Sequence, residues 1–449
     1  MKFNQKFLRL IQGDSLRAQL LRGGMGSVTI KIINTLLSFL LAVLLARALG
    51  PRGNGVYAFT LSILMLLSIP IQAGLPTLVV RETAKAHANN DWPFIRGIWR
   101  WVVRLICIFS SIVLVIIGGV LWVGYDWIDP ARRVTFFAGL MLVPLTALVV
   151  TQGGAIRGLG KVSLGQFPHN VLRPGLFIIF LLATPWLVPS IALTPQQAMQ
   201  LHLLSTAIAV IFSALALRRL QPVGQQGMNV IRQEPVAWRC AVFPLTLVAG
   251  FQLINSYADI VMLGLMRSDE EVGVYRVVVQ MGNLVVFGLF AVNQVLHPHL
   301  AKLHDSGDKE RLQRLVTVSA RVILVFATPP VLLFVFAGAP VLKLLFGEEY
   351  MVGAHALGIL AIGQLANAAF GSVGALLNMT GHEKDTVRGL VIAAIVNIAL
   401  NILLIPKFGM AGAASATAMS YVVWNAVLRS YVRRRLDIES LGWGLRKKS

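Results

Sequence analysis

Two stripes of polar side chains lie inside long apolar stretches of the sequence. They consist of Gln252, Asn255 and Asp259 in one stretch, and of Arg276, Gln280 and Asn283 in the next. Spacings of three and four residues place each set on one face of a helix. An ionisable group in hydrocarbon costs at least about 2.5–3.5 kcal/mol unless it is paired or hydrated. The two stripes therefore predict a water-filled cavity whose wall carries these six candidate binding residues.

Asp259 is the only carboxylate well inside an apolar stretch, and two interpretations of it remain open. In the first, Asp259 and Arg276 neutralise each other, because both are expected near the same membrane face. In the second, Asp259 is a coupling residue. Its charge is then balanced by Arg276 in one conformation and by H⁺ or Na⁺ in another.

Basic residues inside or beside other apolar stretches are further candidates for contact with an anionic group. Lys31 precedes Asn34 and Ser38 at helical spacing, which makes a third polar stripe. Arg173 is followed by Pro174, so a kink that turns its side chain toward the cavity is expected there. The candidates for the cavity wall from these stretches are Lys31, Asn34, Arg47 and Arg173.

The sequence lacks the usual patterns of catalytic and metal sites. Cys107 and Cys240, its two cysteines, have no His or Cys nearby at ligand spacing. The glycine-rich segment 153–161 has the wrong spacing for a phosphate-binding loop, and Val162 stands where such a loop needs Ser or Thr. We therefore predict no catalytic residue, no metal and no resident cofactor.

The composition is that of a membrane protein. Only 13% of the 449 residues are charged and the mean hydropathy is +0.73, whereas soluble domains carry roughly 25% charged residues. Apolar stretches of about 20 residues, the length that crosses a bilayer, recur along the chain. Twelve helical spans are predicted near 27–46, 54–74, 101–124, 134–152, 167–188, 197–217, 241–265, 273–296, 316–338, 352–377, 389–405 and 410–430. The expected fold is an all-α membrane protein.

The net charge of +21 suggests nucleic acid as a partner only if the placement of the basic residues is ignored. Most of the 40 Lys and Arg residues fall in alternate connecting segments, as the positive-inside rule requires of cytoplasmic loops. The excess of basic residues therefore reflects the topology of the chain in the membrane. It predicts that both termini are cytoplasmic and that nucleic acid is not a partner.

The chain is predicted to contain two six-helix bundles related by a parallel internal repeat. Gly-Val-Tyr occurs at 55–57 and again at 273–275, after the first and the seventh predicted span. Parallel repeats of this kind are typical of transporters that open alternately to each side. The predicted segments are an amphipathic start at 1–26, a bundle at 27–217, a cytoplasmic linker at 218–240, a bundle at 241–430 and a basic tail at 431–449.

Several segments resemble polysaccharide and O-antigen flippases of the multidrug/oligosaccharidyl-lipid/polysaccharide exporter superfamily. They are Leu-Ala-Arg-Ala-Leu-Gly-Pro at 45–51, the hairpin 259–275, Leu-Phe-Gly-Glu-Glu-Tyr at 345–350, and Ile-Pro-Lys-Phe-Gly-Met-Ala-Gly-Ala-Ala-Ser-Ala-Thr at 405–417. The resemblance covers essentially the whole chain. It implies two six-helix bundles around a V-shaped lumen that is lined chiefly by spans one, two, seven and eight.

The resemblance further implies export of an undecaprenyl-pyrophosphate-linked oligosaccharide across the bacterial cytoplasmic (inner) membrane, with other polysaccharide-assembly membrane proteins as partners. The basic candidates Lys31, Arg47, Arg173 and Arg276 would offset the charge of the pyrophosphate. The amides Gln252, Asn255, Gln280 and Asn283 would bond sugar hydroxyls.

Three alternatives remain. A multidrug exporter of the same superfamily would be expected to have an acidic lumen, whereas here the intramembrane cations outnumber the carboxylates. A lipid II flippase usually has two more spans than are predicted here. A membrane polysaccharide polymerase or ligase would act on the same lipid-linked substrate, but such enzymes usually present a large outer loop, and the outer loops predicted here are short.

Overall fold

The computed structural model of the protein describes residues 16–72, 74–123, 129–187, 193–222 and 234–441, and in these ranges the regular structure is entirely helical. Most of the predicted amphipathic start, half of the predicted linker and the end of the basic tail lie outside them. The α-helices, numbered α1 to α16, are Leu16–Leu67, Ile69–Gln72, Leu75–Ala88, Trp92–Val123, Pro130–Gly139, Leu142–Gly158, Val162–Phe167, Arg173–Leu187, Pro195–Leu220, Pro235–Met266, Asp269–Val285, Phe287–Asp305, Lys309–Phe346, Ala354–Ala369, Val373–Met379 and Glu383–Leu436. A π-helical turn, Pro168–Leu172, joins α7 to α8, and a 3₁₀ turn, Glu348–Gly353, precedes α14.

Nine helical stretches among the described residues are long and apolar enough to cross a membrane. Large apolar side chains on these helices are exposed, for example Val115 at 74% and Phe336 at 82%. Exposure of so many apolar side chains to water would be unfavourable, whereas contact with lipid tails is favourable. The predicted all-α, multi-pass membrane fold is confirmed, while the count of twelve spans stays a prediction.

Breaks within and between helices explain why the stretches differ from the predicted spans. Gly50 in α1 and Gly409 in α16 have φ angles of 65° and 54°, so each of these long elements is two helices joined at a left-handed glycine. The predicted span 273–296 is divided at Val286, which ends α11 and begins α12. The periodic spacing of apolar residues in the sequence does not show where a helix breaks when the residue at the break is itself apolar, as Val286 is.

The chain divides into two compact units. The N-terminal unit contains the described residues of Met1–Leu44 and Leu64–Gly250, and the C-terminal unit contains those of Leu45–Ile63 and Phe251–Ser449. Both α1 and α10 therefore contribute residues to both units. The domain boundaries expected from the sequence, at 217 and 241, stay predictions.

The two copies of the Gly-Val-Tyr motif pack against each other inside the C-terminal unit. A Cβ added to Gly55 would collide with the carbonyl of Asp269, and one added to Gly273 would collide with the carbonyl of Pro51. Asn54 secures the crossing by donating from Nδ2 to the carbonyl of Gly273 at 3.0 Å. Only glycine permits this approach of two helix backbones.

The last described residues of the C-terminal unit are fastened to its helices. Glu439 accepts two hydrogen bonds from the Arg429 guanidinium, at 2.8 and 2.9 Å. The Gln313 side chain donates to the carbonyl of Glu439 and accepts from its amide N–H, at 2.6 and 2.8 Å. Ile438, 2% exposed, joins an apolar cluster formed by α12, α13, α15 and α16. We call residues 437–441 the C-terminal clasp.

Candidate functional site

The C-terminal unit encloses a cavity of about 730 Å³ whose wall is formed by α10, α11, α12, α14 and α16. All six residues of the two predicted polar stripes line it, namely Gln252, Asn255, Asp259, Arg276, Gln280 and Asn283. The facing helices add further polar and aromatic groups, which are Tyr257, Gln364, Asn367, Asn397, Thr417, Ser420, Tyr421 and Trp424. Among the described residues of this wall, Arg276 and Asp259 are the only charged side chains.

Asp259 is 7% exposed and is surrounded by neutral donors. Asn401 donates from Nδ2 to its Oδ1 at 2.9 Å, and the Tyr275 hydroxyl donates to its Oδ2 at 3.3 Å. Thr417 donates to Oδ2 as well. We call Asp259 and these three donors the Asp259 cage. The donors satisfy the carboxylate without neutralising its charge.

The shape of α16 brings two of the donors of the cage together. Asn401 precedes the break at Gly409, and Thr417 follows it. A Cβ on Gly412 would collide with the carbonyl of Leu404, so the two parts of α16 lie against each other at the break. Both parts thereby reach Asp259 on α10. Sequence analysis missed these residues, although Asn397 and Asn401, four residues apart in an apolar stretch, were a visible signal.

The predicted ion pair between Asp259 and Arg276 is not formed in this structure. Both side chains line the cavity, yet no described residue makes a salt bridge with either one. The pair thus stays a prediction for another conformation. Arg276 is partly exposed to the cavity, and among the described residues it has no hydrogen-bond partner.

A second polar region lies in the N-terminal unit, at the π-helical turn. Proline has no N–H, so Pro174 cannot bond the carbonyl of Asn170 four residues earlier. The Asn34 side chain takes this role by donating from Nδ2 to that carbonyl at 2.8 Å. The N–H of Arg173 bonds the carbonyl of Pro168, five residues earlier, as a π-helix requires. The stripe predicted on the first span therefore contacts the kink predicted at Arg173.

Basic groups accumulate around this turn. His169 lies within electrostatic range of Arg173, Arg157 and His202. Its Nδ1 is buried and, among the described atoms, has no hydrogen-bond partner. His202, 7% exposed, stacks on Phe177 with ring centres 5.0 Å apart. Lys31 is exposed on α1, one turn before Asn34. The region favours an anion. Of its residues, Lys31, Asn34 and Arg173 had been predicted from the sequence as candidates for the cavity wall.

Arg47 occupies a different place from the one predicted. Its Nε and Nη2 donate to the carbonyls of Leu345 and Leu344, at 2.7 and 2.6 Å, and thereby cap the end of α13. Arg267 caps the first part of α16 in the same way, through the carbonyls of Ile405 and Pro406. A guanidinium suits the unpaired carbonyls of a helix end. Arg47 is not part of the cavity wall.

Two family models match the sequence. The one described as "Polysaccharide biosynthesis protein" matches residues 20–304, and the one described as "Lipid II flippase MurJ" matches residues 238–447.

Two relatives of equal sequence identity differ in how much of the chain they match. The "Capsular polysaccharide biosynthesis protein CapF" of Staphylococcus aureus is 23% identical over 87% of this chain and 94% of its own length. The "Probable low-salt glycan biosynthesis flippase Agl15" of Haloferax volcanii is 23% identical over 42% of this chain, and the match spans only 41% of that protein.

A solved structure shares the fold. A multidrug resistance MATE family transporter of the MOP superfamily superposes with a TM-score of 0.74 and 13% identity, over 92% of this chain and 98% of the transporter. At this identity, the likeness establishes the fold alone.

Proposed function

The chain belongs to the polysaccharide biosynthesis protein family, as its motifs predicted, and we propose that it is a flippase for a lipid-linked oligosaccharide. In this proposal, alternating access carries the glycan and its charged linkage from the cytoplasmic to the outer leaflet, while the lipid tail stays in the bilayer. The observation that carries the proposal is the amide-lined cavity within a membrane-spanning unit.

The cavity wall offers the chemistry that sugars require. Carboxamides donate and accept hydrogen bonds at once, which matches the hydroxyl groups of a sugar ring. Gln252, Asn255, Gln280 and Asn283 provide four of them on α10 and α11. Trp424 and Tyr421 on α16 add rings whose faces fit the apolar side of a pyranose.

The basic region of the N-terminal unit fits the linkage between lipid and sugar. We assign Lys31 and Arg173 to a pyrophosphate, because ammonium and guanidinium groups form strong charge-assisted bonds with phosphate oxygens. Arg157 adds positive potential there. Undecaprenyl is the lipid that the family resemblance implies. Arg47 is left out of this assignment because it caps a helix.

The Asp259 cage fits a coupling site. Its carboxylate lies among neutral oxygen and nitrogen groups, and no basic side chain of the described chain neutralises it. A buried charge of this kind is costly until a proton or a cation joins it. We propose that H⁺ or Na⁺ binds Asp259 and shifts the equilibrium between the two access states.

We also propose that the protein resides in a bacterial inner membrane with both termini in the cytoplasm and works beside other polysaccharide-assembly proteins. Reporters fused after residue 449 and within 218–240 are expected to give a cytoplasmic signal. A periplasmic signal from either fusion would contradict this topology.

Reconstituted vesicles provide the central test. A fluorescent lipid-linked oligosaccharide is placed in both leaflets, and an impermeant reagent that destroys the outward-facing label reports its exchange. The protein is expected to make the whole pool accessible, whereas protein-free vesicles should leave about half protected. Lipid II in the same assay tests the lipid II flippase alternative, and a cationic dye tests the multidrug one. Lengthening or transfer of the glycan would instead indicate a polymerase or ligase.

A further inference from the structure

Resting on the proposed function, we infer that the cavity of the C-terminal unit selects an acidic sugar, whose carboxylate pairs with Arg276. The first support is the state of the guanidinium. Arg276 borders the cavity and has neither a hydrogen bond nor an ion pair with any described residue. A guanidinium in a partly desolvated wall gains most from a planar anion that accepts two parallel hydrogen bonds.

The charge of the wall limits which anion can bind. Arg276 contributes one positive charge, and Asp259 is the only other charged residue among those described in the wall. A pyrophosphate carries more than one negative charge and would meet the Asp259 carboxylate in the same cavity. A single carboxylate matches Arg276 one to one and leaves Asp259 for the coupling ion. The pyrophosphate fits the basic region of the N-terminal unit better.

The neighbours of Arg276 place the anion on a sugar. Gln280 and Asn283 follow it on the same face of α11, and Trp424 also lines the wall. Amides, an aromatic ring and one guanidinium in the wall of the same cavity suit a sugar ring that bears hydroxyl groups and one carboxylate. A uronic acid is the chemical class that fits.

Two cargoes that differ in one group test the inference. Both carry the same polyprenyl pyrophosphate and the same oligosaccharide length, but one contains glucuronic acid where the other contains glucose. Wild-type protein in vesicles is expected to translocate the acidic cargo about tenfold faster at limiting concentration, the value of one charge-assisted pair. Arg276→Gln should slow the acidic cargo about tenfold more than the neutral one, so that the two rates become equal. Arg276→Lys should keep part of the preference.

Arg104→Gln serves as the matched control, because Arg104 is an exposed arginine of α4 outside this wall. It should leave both rates and their ratio unchanged. An equal loss of both cargoes in Arg276→Gln would overturn the inference and indicate that Arg276 meets the shared pyrophosphate. A wild-type protein without preference would overturn it as well.

Binding of the soluble glycans separates this inference from the proposed function. Calorimetry with the protein in nanodiscs compares the lipid-free acidic and neutral oligosaccharides. Preferential binding of the acidic one, lost in Arg276→Gln, supports the site even if neither lipid-linked cargo is flipped, in which case only the flippase proposal fails. Equal binding of the two glycans contradicts the acidic-sugar site.

Discussion

The polar stripes of the first and the seventh span share the same spacing of three and then four residues, so that their residues can be compared place by place, and they carry opposite chemistry. Each residue of the first stripe has a polar counterpart 221 positions later, which pairs 31 with 252, 34 with 255 and 38 with 259. The first stripe reads Lys31, Asn34 and Ser38, and the second reads Gln252, Asn255 and Asp259. The base is thus in the N-terminal unit and the acid is in the C-terminal unit. In the proposed function, the same helical spacing serves an anion in the N-terminal unit and a coupling ion in the C-terminal unit.

The shared asparagines show how context decides the role of a residue. Asn34 bonds the backbone carbonyl that Pro174 leaves unpaired. Asn255 faces the cavity instead.

Removal of the acid should have the largest effect. Asp259→Asn keeps the size of the side chain but abolishes its charge, so neither H⁺ nor Na⁺ can act on the equilibrium. We expect glycan translocation to fall by about 100-fold, the upper end of a typical coupling free energy, with unchanged membrane insertion. Vesicle transport normalised to inserted protein measures this.

Transplanting the acid sharpens the comparison. The double variant Ser38→Asp, Asp259→Ser moves the carboxylate to the equivalent position of the first span. It should stay inactive, because Asn401 and Thr417 belong to the cage around position 259 alone. The double variant Asp259→Arg, Arg276→Asp, which exchanges the two charges, should likewise insert into the membrane but show no ion-dependent transport. Wild-type transport by Asp259→Asn, at unchanged ion dependence, would eliminate the coupling role.

The equivalent asparagines should separate stability from transport. Asn34→Leu leaves the carbonyl of Asn170 without its donor, which costs about 1–3 kcal/mol. It should lower the thermal unfolding temperature in detergent. Asn255→Leu breaks no such bond and should lower glycan transport at nearly unchanged stability. Equal destabilisation by both variants would mean that the two stripes do not differ in the way described.

The sequence sufficed for the six cavity residues because hydrocarbon makes every buried polar group conspicuous. It could not supply Asn401 and Thr417 as partners of Asp259, because their approach depends on the break at Gly409 and on contacts across the unit. Arg47 illustrates the opposite error. The sequence analysis assigned this cation to the substrate because it lies near a span. In the structure, Arg47 instead donates hydrogen bonds to carbonyls at the end of α13, which lie almost 300 residues away in sequence.

The smallest expected effect concerns the C-terminal clasp, where Glu439 is held by Arg429 and Gln313. The Arg429 hydrogen bonds, aided by the charges of Arg429 and Arg433, hold the pKa of the Glu439 carboxyl below its ordinary value. A lowered pKa in the folded state means that the clasp stabilises the protein above the pKa of the unfolded state. This stabilisation is lost as the pH falls through the folded value.

Glu439→Gln should therefore lower the free energy of unfolding by about 1 kcal/mol near neutral pH, since the carboxylate is only partly exposed and solvent screens the pair. The difference from wild type should shrink as the pH falls through the lowered pKa. Unfolding followed by urea titration in mild detergent at several pH values measures it. Glu348→Gln is the control, because Glu348 pairs with Lys343 at 2.7 Å but is 75% exposed, so it should change stability little at any pH. A constant difference between Glu439→Gln and wild type down to acid pH would mean that Gln313 and the backbone of residue 439 hold the clasp without the ion pair.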